Sequence, residues 1–240
     1  MAISFDYSGK VVLVTGGSQG IGLAVADAFQ RAGAKVHITG TRDHPSDYGD
    51  DLARFTYHGL KVEDDQQRQR LATAIGDLDI LVNNAGMARD DECESAGYRA
   101  VIDVNLNAVA DLSFLFREKL AARRGAIVNV GSVGSFVALR DRPAYTASKA
   151  GLLGFTRAIA DAWARDGIRV NMIAPGFIET RIVDWVQADD AVHAHLLRSI
   201  PARRFGKTDE VATAVLFLAA PECEYIRGHS LIIDGGYLIR

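Results

Sequence analysis

Short, wholly apolar runs alternate along this chain with longer stretches whose apolar residues recur at helical spacing. Lys10–Val14 is a valine-rich run that ends in a Gly/Ser turn, and Ile21–Ala32 then shows apolar spacing of three and four. Gly33 closes that helix, and Lys35–Thr39 reads as a second strand. Phe55–Val62 reads as a weaker third strand, Gln66–Ile75 as a helix and Asp79–Val82 as a fourth strand. A long helix is expected over Tyr98–Leu120, a strand over Ala126–Val130, and a second long helix over Tyr145–Arg165. Arg169–Ile173 reads as a strand, Val211–Ala219 as a helix and Ser230–Ile233 as the last strand. Apolar strands alternating with helices predict one α/β domain over residues 1–240, a doubly wound parallel sheet with helices on both faces. Such sheets bind ligands at the carboxyl ends of their strands, where the strand order reverses.

Two segments break the rhythm. Thr41–Leu52 is polar, with Pro45, Gly49 and four aspartates, and reads as a loop. Phe177–Lys207 is long for a connection, as lids and binding loops are. Composition is ordinary for a globular domain, 48% hydrophobic and 24% charged. A net charge of -3 offers no clustered positive face for nucleic acid, and the Arg123–Arg124 pair is too short to make one. No run of about 18 apolar residues reads as a membrane span. Met1–Lys10 carries Asp6 and no apolar stretch of signal-peptide length, so a cytoplasmic location is expected. Cys93 and Cys223 lack metal-ligand spacing and read as free thiols. His193 and His195 have no evident third partner, so no metal site is expected.

The richest local pattern is Thr15-Gly16-Gly17-Ser18-Gln19-Gly20-Ile21-Gly22, between the first strand and the first helix. A helix N-terminus offers unpaired N–H groups and a positive dipole end, which suit a pyrophosphate. Glycines belong there because a Cβ would hold the phosphate away from the backbone. Further on come Asn83-Asn84-Ala85-Gly86 after the fourth strand, Ser132, and Tyr145-x-x-x-Lys149. Gly167-Ile168-Arg169-Val170-Asn171, Pro175-Gly176 and Asp234-Gly235-Gly236 complete the series. In this order and spacing the chain resembles, over essentially its whole length, the short-chain dehydrogenase/reductase family. The resemblance implies a Rossmann-type fold and hydride transfer between a nicotinamide cofactor and a carbonyl or alcohol. It also implies cofactor contacts from Gly16, Ser18, Gln19, Gly20, Ile21, Gly22, Val62, Asn83, Ala85, Gly86, Tyr145, Lys149, Pro175, Gly176, Ile178 and Thr180.

Tyr145 and Lys149, four apart on a predicted helix, face the same way. Carbonyl reduction needs a proton donor beside the oxygen, and a phenol near its reference pKa of about 10 is a poor base at neutral pH. A neighbouring ammonium favours the phenolate. Tyr145 is therefore read as general acid in reduction and general base in oxidation. Lys149 lowers the tyrosine pKa and, as the resemblance implies, holds the nicotinamide ribose. Ser132 hydrogen-bonds and orients the reacting oxygen. Asn105 matches the family's asparagine that supports a proton relay to the lysine.

Cofactor choice turns on the end of the second strand. An acid there binds both ribose hydroxyls and repels a 2′-phosphate. Here the position is Gly40, followed by Thr41 and Arg42, which can bind a 2′-phosphate with help from Ser18. NADP(H) is favoured. NAD(H) stays open, because Gln19 stands where NADP-preferring relatives often carry arginine, and Asp43 follows at once. Lys61-Val62 stands where the family often has Asp-Val, and the segment between the second and third strands is short for a helix.

Ile178 and Thr180 are expected near the carboxamide, and Arg181–Leu197, with Trp185, Val186, His193, His195 and Leu196, is expected to form a substrate lid within 177–207. The C-terminal half resembles 3-oxoacyl-acyl-carrier-protein reductases, through Gly176-Phe177-Ile178-Glu179-Thr180 and Ile200-Pro201-Ala202-x-Arg204-Phe205-Gly206. The segment Gly86–Asn105 is shorter than in those reductases. A 3-oxoacyl thioester, small ketone, sugar or cyclic alcohol all remain open as substrates. The resemblance also implies a homo-oligomer, tetramer or dimer. Two other readings are a dinucleotide-binding regulator without turnover and a lyase on the same scaffold. The intact Ser132, Tyr145 and Lys149 argue against the first, and the intact glycine loop against the second.

Overall fold

The computed structural model of the protein describes residues 4–49, 51–180 and 190–239. Seven parallel strands, β1 (Val11–Val14), β2 (Lys35–Gly40), β3 (Thr56–Gly59), β4 (Ile80–Asn83), β5 (Ala126–Val130), β6 (Arg169–Pro175) and β7 (Ser230–Ile233), form one sheet. Its order is β3-β2-β1-β4-β5-β6-β7, so the winding reverses between β1 and β4. Val12, Val14, Ile80 and Val82 pack on one face, against α1 (Gly20–Arg31) and, through Val211 and Val215, a helix over Thr208–Ala219. Leu13, Leu81 and Ile127 pack on the other, against α2 (Asp65–Ala74), α4 (Ala108–Ala122) and α5 (Pro143–Ala162). Strands buried on both faces read as apolar runs rather than alternating patterns, which is what the sequence shows. α3 (Ser95–Ile102), α6 (Asp190–Ser199) and the Thr208–Ala219 helix, α7, complete the helices among the described residues. None of the described helices is long and apolar enough to cross a membrane.

Several polar side chains inside this core pair across elements. Asn83 and Asn129 face each other in register on β4 and β5. Asn83 Nδ2 donates to Asn129 Oδ1 at 2.9 Å, and Asn129 Nδ2 donates to Thr156 Oγ1 on α5 at 2.9 Å. The buried guanidinium of Arg169 donates to the carbonyls of Leu218 and Ala219 at 2.7 and 2.6 Å, placing a cation at the C-terminus of α7.

Two expectations are corrected. The single helix expected over Tyr98–Leu120 is three pieces: α3, a π-helical turn over Asp103–Asn107, and α4. Nothing in the sequence breaks a helix there; the turn shows only in the Ala108 N–H reaching back to the Asp103 carbonyl. The third strand ends at Gly59, and Leu60 and Val62 owe their apolar character to packing with α2 and α4 beyond it. Between β2 and β3, in the segment expected to be a loop, the described residues make a single 3-10 turn, Pro45–Asp47. The long connection 177–207 contains α6, while Trp185 and Val186 lie outside the described residues.

His37 on β2 and His58 on β3 meet through Nδ1 and Nε2 at 2.9 Å, with stacked rings. One ring must donate and the other accept, so the accepting ring must be neutral and the contact fails once both are protonated. Burial, then His58 and Lys35, push the His37 pKa down to about 4; burial also lowers that of His58. The unfolded chain therefore binds more protons than the folded one between its usual value near 6.5 and about 4. Stability contributed by this pair is present above about pH 6.5 and falls as the pH drops through that window. Urea titrations should show the midpoint declining from pH 6.5 to 4 more steeply in the natural protein than in His37→Gln/His58→Gln.

Candidate active site

The turn after β1 carries glycine at several positions that a side chain could not occupy. Gly16 and Gly20 take φ of +62° and +56°. A Cβ on Gly16 would lie 3.0 Å from Ala85 Cα, and one on Gly22 would overlap the Gly16 carbonyl oxygen. Hydrogen bonds knit this turn to the loop after β4. Thr15 Oγ1 accepts from the amides of Asn84 and Ala85, both at 3.0 Å, and Asn84 Nδ2 donates to the carbonyls of Thr15 and Gly16 at 2.9 and 3.0 Å. The Gly16 amide donates to Thr39 Oγ1 at the end of β2, at 3.0 Å. Gln19 enters α1 in extended backbone, and no acid lies in the helix's first turn. The positive end of α1 thus borders the crevice at the switch point, a setting that fits a pyrophosphate.

Across the crevice, Ser132 leaves β5 with its Oγ accepting from the Gly134 amide at 3.0 Å. Tyr145, in the first turn of α5, hydrogen-bonds Ser132. Burial pushes the phenol above its usual range, Ser132 pulls it back, and the charge of Glu92 raises it again. Lys149 lies one turn on, 5% exposed, its Nζ 5.6 Å from the Tyr145 ring and donating to the Val130 carbonyl at 2.8 Å. Burial lowers its pKa to about 8. Asn105 sits in the π-helical turn, fully buried. Its Oδ1 accepts from the Met87 amide at 2.8 Å, and its Nδ2 donates to the Met87 carbonyl at 2.8 Å and Ser148 Oγ at 3.2 Å. A Cβ on Gly86 would stand 3.3 Å from Asn105 Oδ1 and 3.6 Å from Lys149 Nζ, so this glycine keeps the space between them open. All four side chains expected to be catalytic come together.

Residues 16–238 match a family model described as enoyl-(acyl carrier protein) reductase. The chain belongs to the short-chain dehydrogenase/reductase family. As a member it is an oxidoreductase that acts on CH–OH and C=O groups with a nicotinamide cofactor. It is 37% identical over 241 residues to the 3-oxoacyl-[acyl-carrier-protein] reductase FabG of Escherichia coli, covering 96% of this chain and 98% of that one. It is 35% identical to the 2-dehydro-3-deoxy-D-gluconate 5-dehydrogenase of Bacillus subtilis, covering 99% and 98%. Among solved structures, a putative 2-deoxy-d-gluconate 3-dehydrogenase from Agrobacterium tumefaciens with bound NADP superposes with a TM-score of 0.90, at 35% identity and full coverage of both chains.

In this dehydrogenase/reductase, the residues expected at the cofactor divide into three groups. Gly16, Ser18, Gln19, Gly20, Ile21 and Gly22 line the turn after β1, with Ala85 and Gly86 opposite; Pro175 and Gly176 end β6, and the Thr180 methyl lies 3.6 Å from where a Gly20 Cβ would stand. The Asn83 amide is held inside by Asn129 and Ser113, and the Ile178 side chain is 5% exposed within the core, which leaves their backbone as what each can offer the crevice. Val62 is buried, its carbonyl taken by Arg68 Nη1 at 2.6 Å, and exposed Lys61 puts no acid beside it.

Thr41 and Arg42 stand exposed at the end of β2, around a residue the sequence reading missed. The Tyr48 hydroxyl accepts from the Arg42 amide at 3.1 Å, hydrogen-bonds Ser18 and Thr41, and fills the space a Cβ on Gly40 would need. The Arg42 guanidinium lies 4.7 Å above its ring. Tyr48 lies inside the polar loop, where spacing carries no signal. Beyond β6, Ile178 pairs with Gly206 and closes the neck of the 177–207 connection. His193 packs on Phe205, and no metal-binding group of three or more His, Cys, Asp or Glu occurs among the described residues.

Holding Lys149 in this pocket costs stability wherever it stays charged. Its folded pKa lies below its unfolded value, so the cost is full below about pH 8 and fades as the pH rises toward 10.5. Lys149→Met should lose turnover yet melt higher at pH 7, by a few degrees for each kcal/mol relieved, roughly 2–4 °C in a domain of this size. The gain should shrink between pH 8 and 10.5 in scanning calorimetry.

Proposed function

We propose that this protein is an NADP(H)-preferring enzyme that interconverts a carbonyl and a secondary alcohol, with Tyr145 as its acid and base. One observation carries the reading: a partly buried phenol bonded to Ser132, with a buried ammonium one turn away on the same helix. The bound nicotinamide supplies the hydride in reduction and takes it in oxidation. Ser132 Oγ holds the substrate oxygen beside Tyr145 Oη, which gives up its proton in reduction and recovers it in oxidation. Lys149 favours the phenolate by its charge and holds the ribose. Asn105, beside Lys149 and facing Ser148, carries the proton path toward the lysine.

The glycine turn holds the pyrophosphate, and Thr41 and Arg42, with Ser18, hold the 2′-phosphate; the NADP bound to the Agrobacterium tumefaciens relative supports this preference. The substrate is a small ketone, sugar, cyclic alcohol or 3-oxoacyl thioester, a range the names of the relatives support. The protein works in the cytoplasm as a homo-oligomer, a tetramer or dimer. Support for the assembly comes from Phe114, 56% exposed on α4 against Phe155 and Trp163, and from the apolar edge strand β7.

Tyr145→Phe should lower kcat by about 10²- to 10⁴-fold, the usual contribution of a positioned acid/base, while NADPH titration gives an unchanged Kd. Near-normal turnover would reject the role. Arg42→Ala should weaken NADPH by about tenfold or more, a loss of roughly 1.4 kcal/mol, and leave NADH nearly unchanged. Equal losses for both cofactors in parallel fluorescence titrations would remove Arg42 from the phosphate site.

A further inference from the structure

We propose that Glu92, on the short loop after β4, is a positioning residue for Tyr145: its carboxylate fixes the first turn of α5 and sets the charge that the phenol faces. Glu92 is 1% exposed. A carboxylate so buried is costly unless hydrogen-bonded, and this one accepts from the Arg89 amide at 3.0 Å and the Tyr145 amide at 2.8 Å. The second contact spans 53 residues of sequence. Tyr145 is the third residue of α5, so its amide is among those a helix leaves without an internal partner. Arg142, which precedes the helix, makes no side-chain cap, and Glu92 caps it from across the site.

The loop is built to deliver that carboxylate. Arg89 pairs with Asp91 at 2.7 Å, and the Asp91 carbonyl accepts from the Glu94 amide at 2.9 Å. Gly97 lets Asp91 pack directly over α3, where a Cβ would overlap it. Arg142 binds Asp90 at 2.9 Å, bonds the Arg89 carbonyl and stands 4.0 Å from Glu92 Oε1, so the loop and the start of α5 hold each other. Around Tyr145, Ser132 faces it from the end of β5, Lys149 from its own helix and Glu92 from this loop. Arg142, Arg89, Asp90 and Asp91 surround Glu92. Its negative charge lies at the positive end of α5 and opposes phenolate formation, which keeps Tyr145 a proton donor.

The inference rests on Tyr145 as the acid and base, and the test separates the two. Glu92→Gln keeps an oxygen for the Tyr145 amide but gives up the acceptor of the Arg89 amide and removes the charge; Glu92→Ala removes all three. The Tyr145 titration is read by 13Cζ-tyrosine NMR on full-length protein, assigned against Tyr145→Phe. Glu92→Gln should move it to lower pH by about half a unit and carry the basic limb of the oxidation profile with it, at an unchanged KM for cofactor. Glu92→Ala should lower kcat about tenfold, again at unchanged cofactor KM. A lower Tm with an unmoved titration would make Glu92 a fold-holding cap alone and overturn the proposal; so would wild-type kcat in both variants. If Glu92→Ala does not fold, Glu92→Gln decides alone. A fully active Tyr145→Phe would overturn both readings, whereas an inactive one beside an unmoved Glu92→Gln titration overturns only this one.

Discussion

Two chain turns that touch with nothing between them hold the rest of this structure in place. β1 and β4 are neighbours, but α1 and the segments after β4 leave for opposite faces of the sheet. The crevice so opened would have no fixed width without Thr15 and Asn84, whose side chains bind the two turns to one another's backbone. Gly16 and Gly22 are the counterpart of that stitch, because any side chain there would push the turns apart. Every other functional position is measured from this seam. Asn105 holds the continuation of the β4 loop through Met87, Lys149 is tied to the end of β5, and Gly176 is tied to β7 through the Ile233 carbonyl.

The Tyr145 phenol sits in a balance of opposed influences. Desolvation and the Glu92 carboxylate favour its protonated form, and Ser132 favours the phenolate, while the Lys149 ammonium stands 5.6 Å from the ring. Such a balance needs groups that cannot relax away, and each here is anchored by backbone: Lys149 on the Val130 carbonyl, Glu92 on two amides, Ser132 on the Gly134 amide. Burial that weakens the protein at Lys149 is the same burial that lets its charge act through a low dielectric.

Much of this was legible in the sequence because the chemistry is local there. The glycine turn, Ser132 and Tyr145-x-x-x-Lys149 each sit on one element, and apolar runs mark buried parallel strands directly. What the sequence hid is non-local or geometric. Glu92 and Tyr48 act through contacts between loops, and nothing in their neighbours' spacing points to them. Asn83 and Asn84 look equivalent on the page, yet successive strand side chains point to opposite faces. Only Asn84 can therefore reach the glycine turn, and Asn83 joins the ladder under α4 and α5. The connection 177–207 reads as a long connection rather than a helix because α6 spans only Asp190–Ser199.

The π-helical turn at Asp103–Asn107 makes the site depend on chain length as well as chemistry. A turn closed by a bond five residues back holds one more residue than a regular turn. That extra residue lets α3 and α4 follow one another while Asn105 points at Met87 and Ser148. No exchange of one side chain for another can create or erase such a turn cleanly, but the loss of a single codon can. Losing one residue here would leave a straighter, more regular helix and turn Asn105 out of the site. Any redesign that rewards ideal helices would discard this irregularity first, and the placement of Asn105 with it.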